Sequence, residues 1–191
     1  LGYISNLKPY SYQSETGEFC GIARDICDYI EETAGIKFNY IPLEAKNTTS
    51  ELLREKEISV LSSYGGFLSF EPYVNIKVTE PYLEYSYLFV FEEGETFSKS
   101  DHLRFGVGPL SMMLEDEIKE KYPDSSIIYY ENAEIAFEKL EAGEIDVLLG
   151  EHYCVEPFLN KPIYQKFQSV SAGFLNRRCC FAILDYEEEA D

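Results

Sequence analysis

A helix, turn and strand unit that occurs twice constrains this chain more than any other feature of its sequence. Five positions of the first copy recur 87 residues later in the second: Leu53, Glu57, Ile58, Val60 and Leu61 match Leu140, Glu144, Ile145, Val147 and Leu148. Each copy has a short helical pattern, a polar turn and an apolar run of strand length. The repeat predicts two similar lobes, each about half the chain. Coincidence between two ordinary helix–turn–strand units is the alternative.

Helical and strand patterns alternate along the rest of the chain. An apolar stripe at four-residue spacing predicts a helix over residues 22–34, and Gly35 follows it, where a left-handed cap favours glycine. Residues 37–41 alternate as a strand does, Asn132 is expected to cap a helix, and residues 179–184 form a last apolar strand. Strands that alternate with helices predict an α/β fold with mixed or parallel sheets.

The charge of the chain excludes several classes of partner. It carries 35 acidic and 16 basic residues, with a formal net charge of −19. Such a surface repels phosphate backbones and anionic lipid headgroups, so we expect neither nucleic acid nor bare membrane as a partner. No apolar run approaches the ~20 residues that a membrane span needs. The chain starts at Leu1 without a signal peptide, and we interpret it as processed or excised from a longer protein.

The residues that usually carry metal or covalent chemistry are few and scattered. The five cysteines do not form a disulfide framework, because their number is odd and two are adjacent: Cys20, Cys27, Cys154, Cys179 and Cys180. No CxxC, GxSxG, HExxH, P-loop or GxGxxG motif occurs, and the two histidines have no neighbouring ligand cluster. We therefore predict no cofactor, no metal site and no catalytic residues.

Four segments in order carry a resemblance to a known family. They are residues 9–25 with PYSY and GEFCGIARD, residues 78–82 with VTEPY, residues 108–111 with GPLS, and residues 140–149 with LEAGEIDVLL. In these segments the chain resembles the bacterial extracellular solute-binding proteins of family 3, which have the type II periplasmic-binding fold. The matched segments are spread over nearly the whole chain.

The resemblance implies a two-lobed α/β architecture in which each lobe is a mixed sheet flanked by helices. Lobe 1 would comprise residues 1–88 and 177–191, and lobe 2 would comprise residues 89–176. A two-strand hinge would join the lobes. A small ligand would bind between them and close the domain, as hinge-type switches do.

The resemblance also indicates candidate ligand-binding residues. They are Tyr10, Tyr12, Ser63, Tyr64, Gly65, Ser111 and Glu151. Glu151 follows a strand, where the family carries an aspartate for the ligand amine. Ser111 is expected at a helix N-terminus, where free N–H groups suit an anion or polar group. The tyrosines would stack on the ligand or offer hydroxyls. The alternatives are a surface acid for Glu151, a plain N-cap for Ser111, and core or surface positions for the tyrosines.

One family position is not filled as expected. Amino-acid binders of the family place an arginine in lobe 1 that pairs with the ligand carboxylate, and this position falls at Glu71 or Pro72. No arginine or lysine lies between Lys56 and Lys77. A buried carboxylate without its partner costs several kcal/mol. We therefore expect a small-molecule ligand that is not a standard α-amino acid bound through an arginine.

Three functions fit these patterns. The missing arginine favours an extracytoplasmic sensory domain, tethered to the membrane and coupled to a signalling output domain in the full-length protein. Similar domains occur in histidine kinases and diguanylate cyclases. The alternative is a transport-associated solute-binding protein for an atypical cationic or neutral solute. A dehydratase-like enzyme is a minor third hypothesis, because such chemistry needs a paired acid and base that the candidate residues do not provide.

Overall fold

The computed structural model describes residues 1–44, 50–64, 74–96, 101–108, 114–173 and 176–186. The chain divides into two compact units, unit 1 (Leu1–Glu84 with Arg178–Asp191) and unit 2 (Tyr85–Arg177). It enters unit 2 within strand β8 (Leu83–Tyr85) and returns at the start of strand β14 (Arg177–Tyr186), and these two strands pair. Among the described residues, no helix combines the length and apolar character needed to cross a bilayer.

Unit 1 is built on a mixed sheet. Besides β8 and β14, its elements are β1 (Gly2–Ile4), β2 (Asn6–Leu7), β3 (Ser11–Gln13), β4 (Phe19–Cys20), α1 (Ile22–Ala34), β5 (Ile41–Leu43), α2 (Ser50–Glu55), β6 (Val60–Tyr64) and β7 (Val74–Val78). The main sheet has the order β5-β1-β6-β14-β7, with β8 added beside β14. β1, β5 and β6 are parallel, whereas β14 is antiparallel to both β6 and β7. β2, β3 and β4 form a small antiparallel sheet.

Unit 2 repeats this plan. Its elements are β9 (Tyr87–Glu92), β10 (Arg104–Val107), α3 (Glu115–Lys121), β11 (Ser126–Tyr129), α4 (Ala133–Glu141), β12 (Val147–Glu151), α5 (His152–Leu159) and β13 (Phe167–Ser171). The sheet order is β11-β10-β12-β9-β13, with β10, β11 and β12 parallel and β9 antiparallel to β12 and β13. Every residue of β12 is buried, as expected for a strand covered on both faces.

The repeat seen in the sequence occupies equivalent positions in the two sheets. α2 leads into β6, and α4 leads into β12; each of these strands lies between a parallel and an antiparallel neighbour. In each unit the isoleucine before the strand packs against a glycine of the central strand. A Cβ added at Gly2 would lie 3.0 Å from Ile58 Cγ2, and one added at Gly106 would lie 2.4 Å from Ile145 Cδ1. The two-lobed α/β class is therefore confirmed.

The first helix differs in detail from its sequence pattern. The four-residue stripe of isoleucines places Ile26 and Ile30 against the core, but only partly buried. The deepest positions of α1 are Ala23, Cys27 and Glu31. Each of these positions follows a stripe residue by one, which is about 100° around the helix, so the buried face is centred beside the stripe. Gly35 does form the expected left-handed cap, with φ 67°, and Asn132 caps α4 by accepting a hydrogen bond from Ile135 N–H at 3.0 Å.

The buried Glu31 explains why the strand predicted at residues 37–41 begins only at Ile41. Its carboxylate accepts hydrogen bonds from Phe38 N–H at 2.8 Å, Tyr40 Oη at 3.0 Å and Lys37 Nζ at 3.1 Å. The Phe38 amide is thus bonded to a side chain and not to a strand. These interactions, led by the Phe38 hydrogen bond, lower the pKa of Glu31 to about 2.

The strained end of α2 yields a first prediction. Glu57 has φ 53°, a left-handed conformation that costs a side chain about 1–2 kcal/mol and glycine little. Glu57→Gly should therefore raise the free energy of unfolding by about 0.5 kcal/mol, once glycine's larger unfolded-state freedom is subtracted. The matched variant in unit 2 is Gly143→Ala, since Gly143 has φ 67° with no described atom within 4 Å of an added Cβ. Gly143→Ala should lower the free energy of unfolding by about 1 kcal/mol. Urea denaturation measures both, and destabilisation by Glu57→Gly would contradict the strain argument.

The lowered pKa of Glu31 yields a second prediction. Its folded-state pKa is about 2, below an unfolded value of about 4.3. The stabilisation is therefore fully present above pH ~4.3 and is lost as the pH falls through the folded value. In the Glu31→Gln variant, the urea midpoint should therefore decrease less than in the wild type as the pH is lowered between these two values. Glu32→Gln, at an exposed neighbouring position, is the control and should retain the wild-type pH profile; equal profiles for all three proteins would refute the role of Glu31.

Candidate binding edges of the two sheets

Parallel strands give each unit one edge at which chain segments emerge together. In open α/β sheets, ligands bind outside the carboxyl ends of such strands. In unit 1 this edge contains residues 4–5, at and just after the end of β1, and residues 62–64 of β6; we call it the unit 1 edge. In unit 2 it contains residues 107–108, at and just after the end of β10, and residues 150–151 of β12; we call it the unit 2 edge.

The unit 1 edge contains two predicted site residues. Ser63 is buried, has φ 56°, and accepts a hydrogen bond from Tyr82 Oη at 3.0 Å. Burial raises the pKa of Tyr82, so the phenol remains a donor over the usable pH range. Tyr64 follows, half-buried, and pairs with Cys180 of β14. The neighbouring Ser62 is also buried, and its Oγ has no hydrogen-bond partner among the described residues. Two serine hydroxyls are thus concentrated at the end of β6.

The predicted tyrosines of the opening segment have different surroundings. Tyr10 is only 1% exposed and belongs to the core. Its carbonyl accepts a hydrogen bond from Ala23 N–H at 2.9 Å. This segment therefore provides a partner for one of the free N–H groups at the start of α1. Gly21 is required there because an added Cβ would lie 2.8 Å from the Tyr10 carbonyl oxygen. Tyr12 is half-buried, with Lys8 Nζ 4.9 Å from its ring centroid.

The unit 2 edge contains a buried acid. Glu151 is the last residue of β12, is 5% exposed, and lies opposite Tyr87 of β9 in the antiparallel register. It also occupies the N-cap position of α5 with an extended backbone. The backbone N–H of His152 donates to Ser86 O at 2.9 Å, which fixes the exit of β12 against β9. Glu151 is therefore not one more surface acid.

Tyr87 lies opposite Glu151 in the sheet. Burial raises the pKa of Tyr87 above its ordinary range; the Glu151 carboxylate adds to the rise, and Tyr85 and Arg177 oppose it. Arg177 Nη2 lies 3.6 Å from Glu117 Oε1. The sequence patterns did not indicate Tyr87 or Arg177, because neither the cross-strand register nor the ion pair can be read from a single chain.

Two predicted site residues, Gly65 and Ser111, lie outside the described residues, as do Glu71 and Pro72 at the family arginine position. The described candidates are divided between the units, with Tyr10, Tyr12, Ser63 and Tyr64 in unit 1 and Glu151 in unit 2. Within the described parts of the chain, no group of three or more His, Cys, Asp or Glu side chains could hold a metal ion. All five cysteines fall in those parts, and each is a free thiol.

Comparison with known proteins gives matches in sequence and in structure. No model of a protein family matches the chain. The sensor protein EvgS of Escherichia coli O157:H7 is 26% identical over 164 residues, which cover 82% of this chain and 13% of EvgS. The chain thus spans about an eighth of the length of this relative.

Solved structures extend the likeness over almost the whole chain. The ancestral cationic amino acid solute-binding protein AncCDT-1 matches with a TM-score of 0.68 and 17% identity, covering 98% of this chain and 82% of that one. The periplasmic VFT2 domain of Bordetella pertussis BvgS matches with a TM-score of 0.68 and 14% identity, covering 95% and 79%. The chain therefore has the two-lobed type II periplasmic-binding fold that the four motifs predicted.

Proposed function

We propose that this chain is an extracytoplasmic sensory domain that binds a small ligand between its two lobes and passes the resulting change to a membrane signalling protein. Binding would shift an equilibrium between open and closed forms, as a ligand does when it prefers one of two states. The domain itself binds and carries out no chemistry. The fold, the buried Glu151 and the sequence match to EvgS together support this proposal.

The single observation that carries the choice of ligand is Glu151, a buried acid at the carboxyl end of a central strand. A buried carboxylate favours a cationic partner. The segment in which family members carry the arginine for a ligand carboxylate contains no lysine or arginine between Lys56 and Lys77. These two features favour a cation that has no α-carboxylate.

A transport-associated solute-binding protein is the second candidate. The structural likeness to AncCDT-1, named as a cationic amino acid solute-binding protein, favours it. The match to a sensor protein in sequence favours the sensory role. Fractionation of the full-length protein discriminates between them: release as a soluble binding protein supports transport, and retention in the membrane with a fused output domain supports sensing.

A pair of guanidinium compounds tests the ligand class. Agmatine and L-arginine share a guanidinium, but only L-arginine carries an α-carboxylate. We expect agmatine to raise the melting temperature, because ligand at about 100 times its Kd stabilises a fold by ~2.7 kcal/mol. L-Arginine should give little or no shift, and so should the other standard L-amino acids. A strong shift with L-arginine, glutamine or glutamate would show that an anchor for the carboxylate exists.

Replacement of the buried acid tests its role. Glu151→Gln keeps the shape of the side chain but removes its charge and replaces one acceptor oxygen with an amide donor. Since a hydrogen bond to a charged group contributes about 1.5–3 kcal/mol, agmatine should bind roughly 10–100-fold more weakly in calorimetric titration. Glu138→Gln removes a charge at an exposed position of α4 and should leave the affinity unchanged. Equal Kd values for Glu151→Gln and the wild-type domain would exclude Glu151 from the site.

A further inference from the structure

Tyr130 connects the two chain segments that form the unit 2 edge. It follows β11 and is 8% exposed within the core of unit 2. Its backbone N–H donates to Val107 O at 3.1 Å. Its hydroxyl donates to Leu149 O at 2.9 Å. Through its backbone amide and its hydroxyl, Tyr130 therefore bridges the ends of β10 and β12.

One glycine of the edge fits closely against this side chain. A Cβ added at Gly108 would lie 2.7 Å from the Tyr130 ring, which is closer than real Cβ contacts come. The backbone at Gly108 approaches the ring this closely because glycine has no side chain. A Cβ added at Gly150 would lie at an ordinary contact distance of 3.7 Å from the hydroxyl oxygen, and its close neighbour is Val155 Cγ1 at 2.3 Å.

The surroundings of the phenol favour its protonated form. Burial raises the pKa of Tyr130 well above its ordinary value, and the charges of Glu151 and Cys154 add to the rise. The protonated hydroxyl is the form that donates to Leu149 O.

We infer that Tyr130 is a positioning residue that holds residues 107–108 and residues 150–151 in one arrangement. It acts through backbone groups, with its amide on Val107 O and its hydroxyl on Leu149 O. That these segments bind a ligand rests on the proposed function, whereas the bridge that Tyr130 forms between them does not. Removal of the hydroxyl alone should loosen both segments at once.

Tyr130→Phe tests the bridge, since it keeps the ring and deletes only the hydroxyl. The matched control is Tyr164→Phe, another buried tyrosine of the same core cluster. We measure backbone amide exchange by mass spectrometry in peptides that cover Gly108 and Gly150. Tyr130→Phe should accelerate exchange in both peptides by about three- to tenfold, the effect of losing one buried hydrogen bond. Tyr164→Phe should leave both rates unchanged. Acceleration in only one peptide, or equal effects of the two variants, would overturn the inference.

A second variant tests whether the hydroxyl transmits a disturbance. Gly108→Ala pushes against the Tyr130 ring and should accelerate exchange around Gly150 in the wild-type background. Added to Tyr130→Phe, it should produce no further acceleration there, because the link to Leu149 is already lost. If Gly108→Ala accelerates exchange around Gly150 just as much in the Tyr130→Phe background, the core as a whole couples the segments and the inference is wrong. These measurements need no ligand, so a failure of agmatine to bind would bear on the proposed function alone.

Discussion

In each unit an isoleucine two positions before the third parallel strand packs over a glycine of the neighbouring parallel strand. A Cβ added at Gly106 would lie 2.4 Å from Ile145 Cδ1, and one added at Gly2 would lie 2.7 Å from Leu43 Cδ1 and 3.0 Å from Ile58 Cγ2. Since protein interiors are packed as densely as organic crystals, a larger residue at either glycine would force these neighbours to shift. The strands that follow the two isoleucines carry Ser63 and Glu151.

The fold was predictable because its information is local and repeated. Helix and strand periods, the Gly35 and Asn132 caps and the 87-residue repeat all depend on neighbouring residues. The details that failed depend on tertiary contacts. The strand expected at residues 37–41 is shortened because the Phe38 amide bonds to Glu31. No periodicity in the sequence marks a glutamate on an apolar face as a buried acceptor.

The candidate site shows the same division. Glu151 and Ser63 were proposed from the family resemblance, and the structure has both in the last part of a strand, while their role in binding stays a prediction. Tyr87, Arg177 and Tyr130 were not proposed, because each comes from a segment more than 20 positions away along the chain from Glu151. Their surroundings, which include a buried phenol opposite an acid and a hydroxyl that donates to a carbonyl of β12, arise only when the sheet is assembled.

The route of the chain through the two units has a consequence for synthesis on the ribosome. Unit 2 is one continuous stretch, whereas unit 1 is completed by β14, which lies between β6 and β7 in its sheet. Domains that emerge complete can fold before the rest of the chain has been made. Unit 2 can therefore reach its final structure while the sheet of unit 1 still has a gap at its centre. During that interval the facing backbone groups of β6 and β7 are unpaired strand edges, the feature that makes nascent chains prone to intermolecular pairing.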